Sequence, residues 1–565
     1  MESNNHLVQS AATAIHLSPI SFLEQAAARY GSAVSLVYGQ DQFTWAETRQ
    51  RCLKLASSLS RLNVSRGDFV VALVPNIPAL YELHFAIPMT GAALSALNTR
   101  LDAPTLAVVL EQIEPKVIFV DYQSSEVLAR ALEILPKQLG KSSRLVVIQE
   151  TNPLCYSKMS VNVLHYEDLV EMGQSEFEIL HPGDEGEMIS ISYTSGSTGF
   201  PKGVMYSHKA TYLNSLAQIE RVNMKGQQPV FLWTVDMFRC NGWCFTWAMA
   251  SVGGTNICLR SVSAKSISEA IFAHKVTHLC GAPVLLNLIA DAPPSFFKLP
   301  SQVRIVIAGA LPPRQVVERV ENLGFVVTHA YGMTEALGPV VYKAVTFESK
   351  IDVQSKKLNT KKHVLGEVSN NLVIDVRDTN TLESVPCDGK TIGEVMLKGN
   401  TLMMGYFKNP KATREAFRGG WYRTGDLGVL ASDGSVIMLD RKKDAIFCGK
   451  QIISTLEIEE VLVSHPMALE AAVVGGPGET SEQKPFAFVK LKFGCVVSAE
   501  EIISFCVQRL PNIMVPRAVF FGNLPVNSTG KVQKFVLRKK LESLNTPAAS
   551  SITSSFAAEM SINII

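Results

Sequence analysis

Ten consecutive residues, Thr194-Ser195-Gly196-Ser197-Thr198-Gly199-Phe200-Pro201-Lys202-Gly203, bring four hydroxyls, three glycines and one lysine into a single stretch. Hydroxyls, close-approaching glycine amides and an ammonium are the groups needed to wrap a polyphosphate. The run follows Met188 to Tyr193, which reads as a strand. The phosphate loop that ends in lysine followed by serine or threonine does not fit, because Lys202 precedes Gly203. Turns of this composition are also common on protein surfaces, so the segment alone leaves both readings open.

The elements around it read as a large α/β body. Apolar runs at Phe69 to Val74, Lys116 to Asp121, Arg144 to Gln149 and Val303 to Ala308 have the length and texture of buried strands. They alternate with helix-period segments such as Trp45 to Leu62 and Tyr81 to Ala93, which predicts parallel sheets covered by helices. After the charged stretch Asp440-Arg441-Lys442-Lys443-Asp444 the texture changes. A helix at Leu456 to Ser464, strands at Ala471 to Val474 and Pro485 to Leu491, and a helix at Glu500 to Leu510 read as a small α+β domain. The expected division is 1–440, 441–543, and a Ser- and Ala-rich tail, 544–565, that reads as disordered.

At 565 residues the chain exceeds one hydrophobic core, and 47% hydrophobic with 18% charged residues is a globular composition. The 53 basic and 51 acidic residues nearly cancel, which argues against nucleic acid or an anionic membrane as the partner. Phe69 to Leu97 is apolar, but Pro75, Pro78, Glu82, His84 and Pro88 make it a poor membrane span. Ten cysteines, with Cys240 and Cys244 the only tight pair and no second pair nearby, read as reduced thiols and not as a zinc site. The first 29 residues lack the bias of a transit or secretory signal, and Asn563-Ile564-Ile565 is no Ser-Lys-Leu address, so the expected location is cytoplasmic.

Further segments place the phosphate loop in context. With Tyr331-Gly332-Met333-Thr334-Glu335, Tyr422-Arg423-Thr424-Gly425-Asp426, the Asp440 to Asp444 stretch and Asn527-Ser528-Thr529-Gly530-Lys531, in that order, the chain resembles the adenylate-forming superfamily. That superfamily includes acyl-CoA synthetases, luciferases and peptide-synthetase adenylation domains. The resemblance spans roughly Thr44 to Leu537. It is closest to plant acyl-activating enzymes of the short-chain, branched-chain and benzoate group, through Phe43-Thr44-Trp45-Ala46-Glu47, Asn98-Thr99-Arg100-Leu101-Asp102-Ala103 and Cys240-Asn241-Gly242-Trp243.

The resemblance implies an ATP-dependent acid–CoA ligase with an adenylate-forming fold, whose partners are a small carboxylic acid, ATP with Mg²⁺, and coenzyme A. It implies a catalytic role for Lys531, which would bridge acyl carboxylate and α-phosphate, with Glu335 on Mg²⁺ and Thr334 on the α-phosphate. The chemistry agrees: a carboxylate attacking a phosphate brings two anions together, and the site must supply positive charge. Asp426 would take the ribose hydroxyls with Arg441 beside it. Thr194, Ser195, Gly196, Ser197, Thr198, Gly199, Lys202, Gly309, Ala310, His329, Ala330 and Tyr331 complete the implied nucleotide site. Lys443 would be the hinge of a mobile C-terminal domain, with Gly449 and Lys450 at the CoA tunnel. Asn241, Phe245, Ile307, Ala310, Ala330 and Gly332 would wall the acyl pocket, small at 310, 330 and 332 and apolar at 245 and 307.

The chain departs from the family pattern in two places. Asp236 and Arg239 stand where the family usually has proline and histidine, so a permanently charged, longer side chain replaces one that can be neutral, near the reacting carboxylate. Arg239 could clamp that carboxylate, fill the pocket mouth or turn to solvent. In Gly449-Lys450-Gln451-Ile452, Lys450 replaces a second glycine, so any impairment is expected in thioester formation and not in adenylation. The competing readings are an adenylating domain serving a carrier protein, and a nucleotide-binding homologue that has lost turnover.

Overall fold

The computed structural model describes residues 16–136, 143–149, 163–194, 200–226, 228–310, 312–344, 363–364, 367–368, 371–449, 451–477, 482–526 and 532–544. Two large sheets dominate it. In a nine-stranded sheet, six neighbouring strands run parallel, from Phe325–Met333 through Val303–Ala308, His278–Gly281, Val230–Leu232 and Thr255–Ile257 to Val34–Tyr38. In an eight-stranded sheet, Met188–Thr194, Ala93–Ala96, Phe69–Leu73, Val117–Asp121, Arg144–Ile148 and Leu164–His165 run parallel. Lys202–Ser207 and Gly405–Tyr406 add an antiparallel edge.

The predicted strands lie where the apolar runs placed them, and Val303–Ala308 matches to the residue. The predicted helix Tyr81 to Ala93 is instead Pro78–Met89, opened by proline at its first turn and succeeded by the strand Ala93–Ala96. Every residue from Ala79 to Met89 is buried, because the helix lies within the core shared by the two sheets. It carries Glu82 into that core, where Arg51 Nε (2.6 Å) and Tyr166 Oη (2.6 Å) donate to the carboxylate.

Two of the segments that carried the narrower resemblance are helix starts. Thr44 caps Trp45–Arg61 in a capping box with Glu47, worth about 1 kcal/mol. Asp102 caps Ala103–Ile113 by accepting from Thr105 N at 2.9 Å.

A third sheet was not foreseen. Leu372–Arg377, Gly393–Gly399, Tyr422–Leu430, Val436–Arg441 and His363–Val364 form an entirely antiparallel five-stranded layer. Beyond it stand the hairpin Ile446–Cys448/Gln451–Ile453 and a sheet of Ala468–Pro477, Gln483–Leu491 and Ala518–Phe521. Helices Thr455–Val463, Ala499–Val507 and Lys534–Leu544 accompany them, so the small unit is α+β as expected. No helix among the described residues is long and apolar enough to cross a membrane.

Candidate active site

The parallel strands deliver their C-terminal ends to one region. Met188–Thr194 carries Thr194 there, Val303–Ala308 leads to Gly309 and Ala310, both exposed, and Phe325–Met333 runs into the short turn Thr334–Ala336. Ser195, Gly196, Ser197, Thr198 and Gly199 lie outside the described residues, but the strands on either side pair Thr194 with Lys202.

Two phenols tie the region together. Tyr406 donates to Glu335 Oε1 at 2.8 Å, and its ring centroid lies 5.0 Å from Lys202 Nζ, so one side chain joins the lysine of the phosphate loop to the carboxylate predicted for the metal. Burial and the Glu335 charge push the Tyr406 hydroxyl above its ordinary range, which keeps it a donor. Tyr331 donates to Asp426 Oδ2 at 2.6 Å, and it too is raised, by burial first and by the Asp426 carboxylate second. Asp426 faces Arg441 across two antiparallel strands, with Arg441 Nε 3.4 Å from Oδ1. Thr334 is fixed through its backbone, whose carbonyl accepts from Tyr206 Oη at 2.7 Å.

The segment Asp236 to Cys244 has an unusual backbone. Cys240, Asn241, Gly242, Trp243 and Cys244 all have positive φ, between 47° and 65°. Trp243 N reaches Arg239 O (3.1 Å) and Cys244 N reaches Cys240 O (3.3 Å), making one turn of left-handed helix. L-residues visit this region singly and at a cost, so its surroundings must hold it. Ser190 Oγ donates to Asn241 Oδ1 (2.8 Å) and Thr246 Oγ1 to Asn241 O (2.9 Å). Gly242 is required by space as well, since a Cβ there would stand 2.6 Å from the Trp233 ring. Burial pushes the Cys240 thiol, which lies against Thr334 and Tyr206, up to about 11, so it is uncharged at neutral pH.

The two departures in this segment pair with each other. Arg239 Nε contacts Asp236 Oδ2 at 2.9 Å, and Arg100 Nη2 reaches the same oxygen at 2.7 Å. Both guanidiniums flank the Phe238 ring, with centroid distances of 5.0 and 5.7 Å. Arg239 is therefore drawn back to the residue three positions before it, and does not project freely to solvent.

The expected pocket wall is only partly assembled. Phe245, fully buried and stacked on Phe231 at 4.8 Å, shares a core cluster with Ala330. Ile307 does not join them: strand alternation turns it to the opposite sheet face, among Leu279, Leu285 and Val317. The residue that pairs with Ala330 and shares its cluster is Ala308, whereas Ile307 pairs with His329. Gly332 is also not there to leave room for a ligand. It sits at a bulge in the pairing with Gly338–Ala344, where a Cβ would come 2.0 Å from Gly338 O.

Lys443 is exposed in the turn after strand Val436–Arg441, and Gly449 has φ +59° in the following hairpin; Lys450 lies outside the described residues. Lys531 lies outside them too, but residues on either side of 527–531 are fixed. Val526 pairs with Val532, and Gln533 N donates to Pro525 O at 2.8 Å. Lys534 Nζ contacts Glu459 Oε1 (2.7 Å) and Thr455 Oγ1 (2.6 Å), and Thr455 donates in turn to buried Asp440 (2.6 Å).

The sequence reading missed Tyr406 and Tyr206, which lie far along the chain from Glu335 and Thr334 and stand in no motif it used. Glu335 Oε2 makes no hydrogen bond among the described residues. No cluster of three or more His, Cys, Asp or Glu among those residues could hold a metal by itself. One half-buried carboxylate with a free oxygen suits Mg²⁺, which completes its shell with water and phosphate oxygens.

Two family models match the chain, the AMP-binding enzyme over residues 23–407 and the AMP-binding enzyme C-terminal domain over 457–531. A butyrate–CoA ligase of Arabidopsis thaliana, named peroxisomal, is 42% identical over 556 residues, covering 94% of this chain and 95% of that protein. A 2-methylpropanoate–CoA ligase of Humulus lupulus is 42% identical over 539 residues, covering 94% and 96%. Among solved structures, ATP-bound MatB from Rhodopseudomonas palustris superposes with a TM-score of 0.80 at 22% identity, covering 94% of this chain and all of that one, a likeness of fold.

Proposed function

We propose that this chain, which belongs to the AMP-binding enzyme family, joins a short or branched carboxylic acid to AMP and then passes the acyl group to coenzyme A. The carrying observation is that the Lys202–Tyr406–Glu335 chain and the Tyr331–Asp426–Arg441 chain leave adjacent strands and turns side by side. The first offers charge for phosphates and the second a buried carboxylate for the ribose hydroxyls. In the first half-reaction a carboxylate oxygen attacks the α-phosphorus, the bond to the β-phosphate bridging oxygen breaks, and pyrophosphate leaves. In the second, the CoA sulfur attacks the acyl carbon, AMP departs and the thiol proton is released.

The residues take these roles. Lys531 neutralises charge between acid and α-phosphate, Thr334 donates to that phosphate, and Asp426 with Arg441 orients the ribose. Mg²⁺, held by Glu335, would supply charge against the phosphate oxygens. The acid lies toward Phe245, Ala330, Ala308 and Asn241, an apolar wall of two small residues and one aromatic. The named substrates of the two plant relatives support a short or branched acid. Residues 441–543 act as a separate unit turning at Lys443. The location expected from sequence is the cytosol, whereas the Arabidopsis relative's name favours the peroxisome, and imaging a fluorescent fusion distinguishes them.

The test is a panel of short aliphatic, branched and aromatic acids with ATP, Mg²⁺ and CoA. Products are read by mass spectrometry, and acid-dependent pyrophosphate exchange is measured in parallel. Acyl-CoA from at least one short acid is the expected result. Exchange without acyl-CoA shows that the second step is lost, and full exchange by Lys531→Ala refutes the proposed chemistry.

A further inference from the structure

Helix His208–Arg221 buries a polar stripe where apolar residues would be expected: Thr211, Asn214, Ser215 and Gln218 are all at most 1% exposed. Thr211 and Ser215 bond back to their own helix, at Ser207 O (2.9 Å) and Thr211 O (2.8 Å), and the Ser215 hydroxyl also lies 3.4 Å from Cys244 O. Asn214 and Gln218 reach outward. Asn214 Nδ2 donates to Leu337 O at 3.0 Å and to Cys244 Sγ at 3.3 Å. Gln218 Nε2 donates to Asn214 Oδ1 at 3.2 Å and to Pro339 O at 3.1 Å, and its Oε1 accepts from Tyr342 Oη.

Both residues that Asn214 grips are left-handed. Leu337, with φ 59° and ψ 35°, ends the turn that carries Thr334 and Glu335, and Cys244, with φ 65°, ends the left-handed turn that carries Asn241. Gly338, at φ 98°, follows Leu337, and a Cβ there would stand 3.2 Å from Trp243. One amide thus ties together the two backbone excursions that set the directions of Glu335 and Asn241. Gln218 orients that amide, since its own donor occupies the Asn214 oxygen and leaves only the nitrogen to face Leu337 and Cys244.

We propose that Asn214 is a positioning residue for the Thr334–Glu335 segment, acting through the Leu337 carbonyl, with Gln218 fixing its orientation. The inference rests on the reading in which Glu335 holds Mg²⁺ and Thr334 the α-phosphate. A buried amide that touches neither substrate nor metal is otherwise spent on a turn a glycine would make without help. Supports of this kind beneath a metal-holding carboxylate change metal affinity or activity by about 10- to 100-fold when removed.

The experiment compares the full-length chain with Asn214→Ala and Gln218→Met in acid-dependent pyrophosphate exchange, titrating Mg²⁺, ATP and acid separately. For Asn214→Ala the half-saturating Mg²⁺ is expected to rise about 10-fold or more and kcat to fall, while the acid KM moves less than about 2-fold. Gln218→Met, which leaves the Asn214 amide in place but unanchored, is expected to shift Mg²⁺ dependence in the same direction by less, and it carries the test if Asn214→Ala does not fold. Lower thermal stability with unchanged Mg²⁺ dependence in both variants overturns the proposal and leaves Asn214 as a core hydrogen bond. Absence of exchange in the parent chain with every acid removes the catalytic reading itself, and the positioning role falls with it.

Discussion

Replacing Tyr406 with phenylalanine removes one oxygen from the middle of the site and little else. The ring stays under Lys202 Nζ, so the cation keeps an aromatic face, and what is lost is the 2.8 Å hydrogen bond to Glu335 Oε1 together with the contact to the Tyr422 hydroxyl. A hydrogen bond to a charged group contributes about 1.5–3 kcal/mol. If all of it holds Glu335 in its working direction, acid-dependent pyrophosphate exchange slows by about 10- to 150-fold. The assay is a double-mutant cycle of Tyr406→Phe, Glu335→Gln and the pair, read as kcat/KM for ATP in exchange. The expected coupling is above about 1 kcal/mol, because the hydroxyl has value only while the carboxylate is there to receive it. Additive effects, or a Tyr406→Phe rate within about 2-fold of the parent, refute the argument that Tyr406 orients Glu335.

Three further outcomes are expected. Arg51→Met strands buried Glu82 without its cation and destabilises the chain by about 3–5 kcal/mol in urea unfolding. Burial already raises the Glu82 carboxyl above its ordinary value, and without Arg51 it rises further. Such a group favours folding below its unfolded pKa and loses that contribution as pH rises through the folded one, so the deficit is expected to be larger at pH 8 than at pH 5, and equal deficits would contradict the account. Asp236→Ala breaks two half-exposed ion pairs and is expected to cost no more than about 1 kcal/mol, shrinking in high salt; a larger, salt-independent loss would show that the cluster does more than pair charges. Lys450→Gly is expected to raise acyl-CoA formation relative to pyrophosphate exchange, and an unchanged ratio would dismiss Lys450 as an obstacle to the second step.

Sequence reading reached furthest where the physics is local. Val303–Ala308 was legible because a short apolar run between turns has few alternatives, and the body of the Trp45 helix because its period of 3.6 is sustained over four turns. It stopped where a side chain's surroundings come from elsewhere in the chain. Ile307 was assigned to the acyl wall by the family resemblance, but strand parity places Ala308 on the face that Ala330 shares. Gly332 was taken for empty space, whereas a backbone carbonyl from the neighbouring strand demands it. The antiparallel layer behind Asp426 went unseen, since the overall pattern was dominated by parallel units. Arg239 and Asp236 were both legible as departures, but not as a pair. Their ion pair is visible only in the structure.

The left-handed turn from Cys240 to Cys244 bears on the order in which the molecule can be built. Four of its five residues have a Cβ, and holding them in that region costs on the order of 5 kcal/mol, against which the turn itself sets only its own backbone hydrogen bonds. A newly made chain therefore has no reason to adopt it when those residues emerge. Its main clasps come from Ser190 and Asn214, already synthesised, but the wall against which Trp243 rests is Gly338, nearly a hundred positions later. The turn is thus complete only once the chain near Gly338 is in place, and on warming it is expected to let go before the sheets melt, with activity fading ahead of the main unfolding transition.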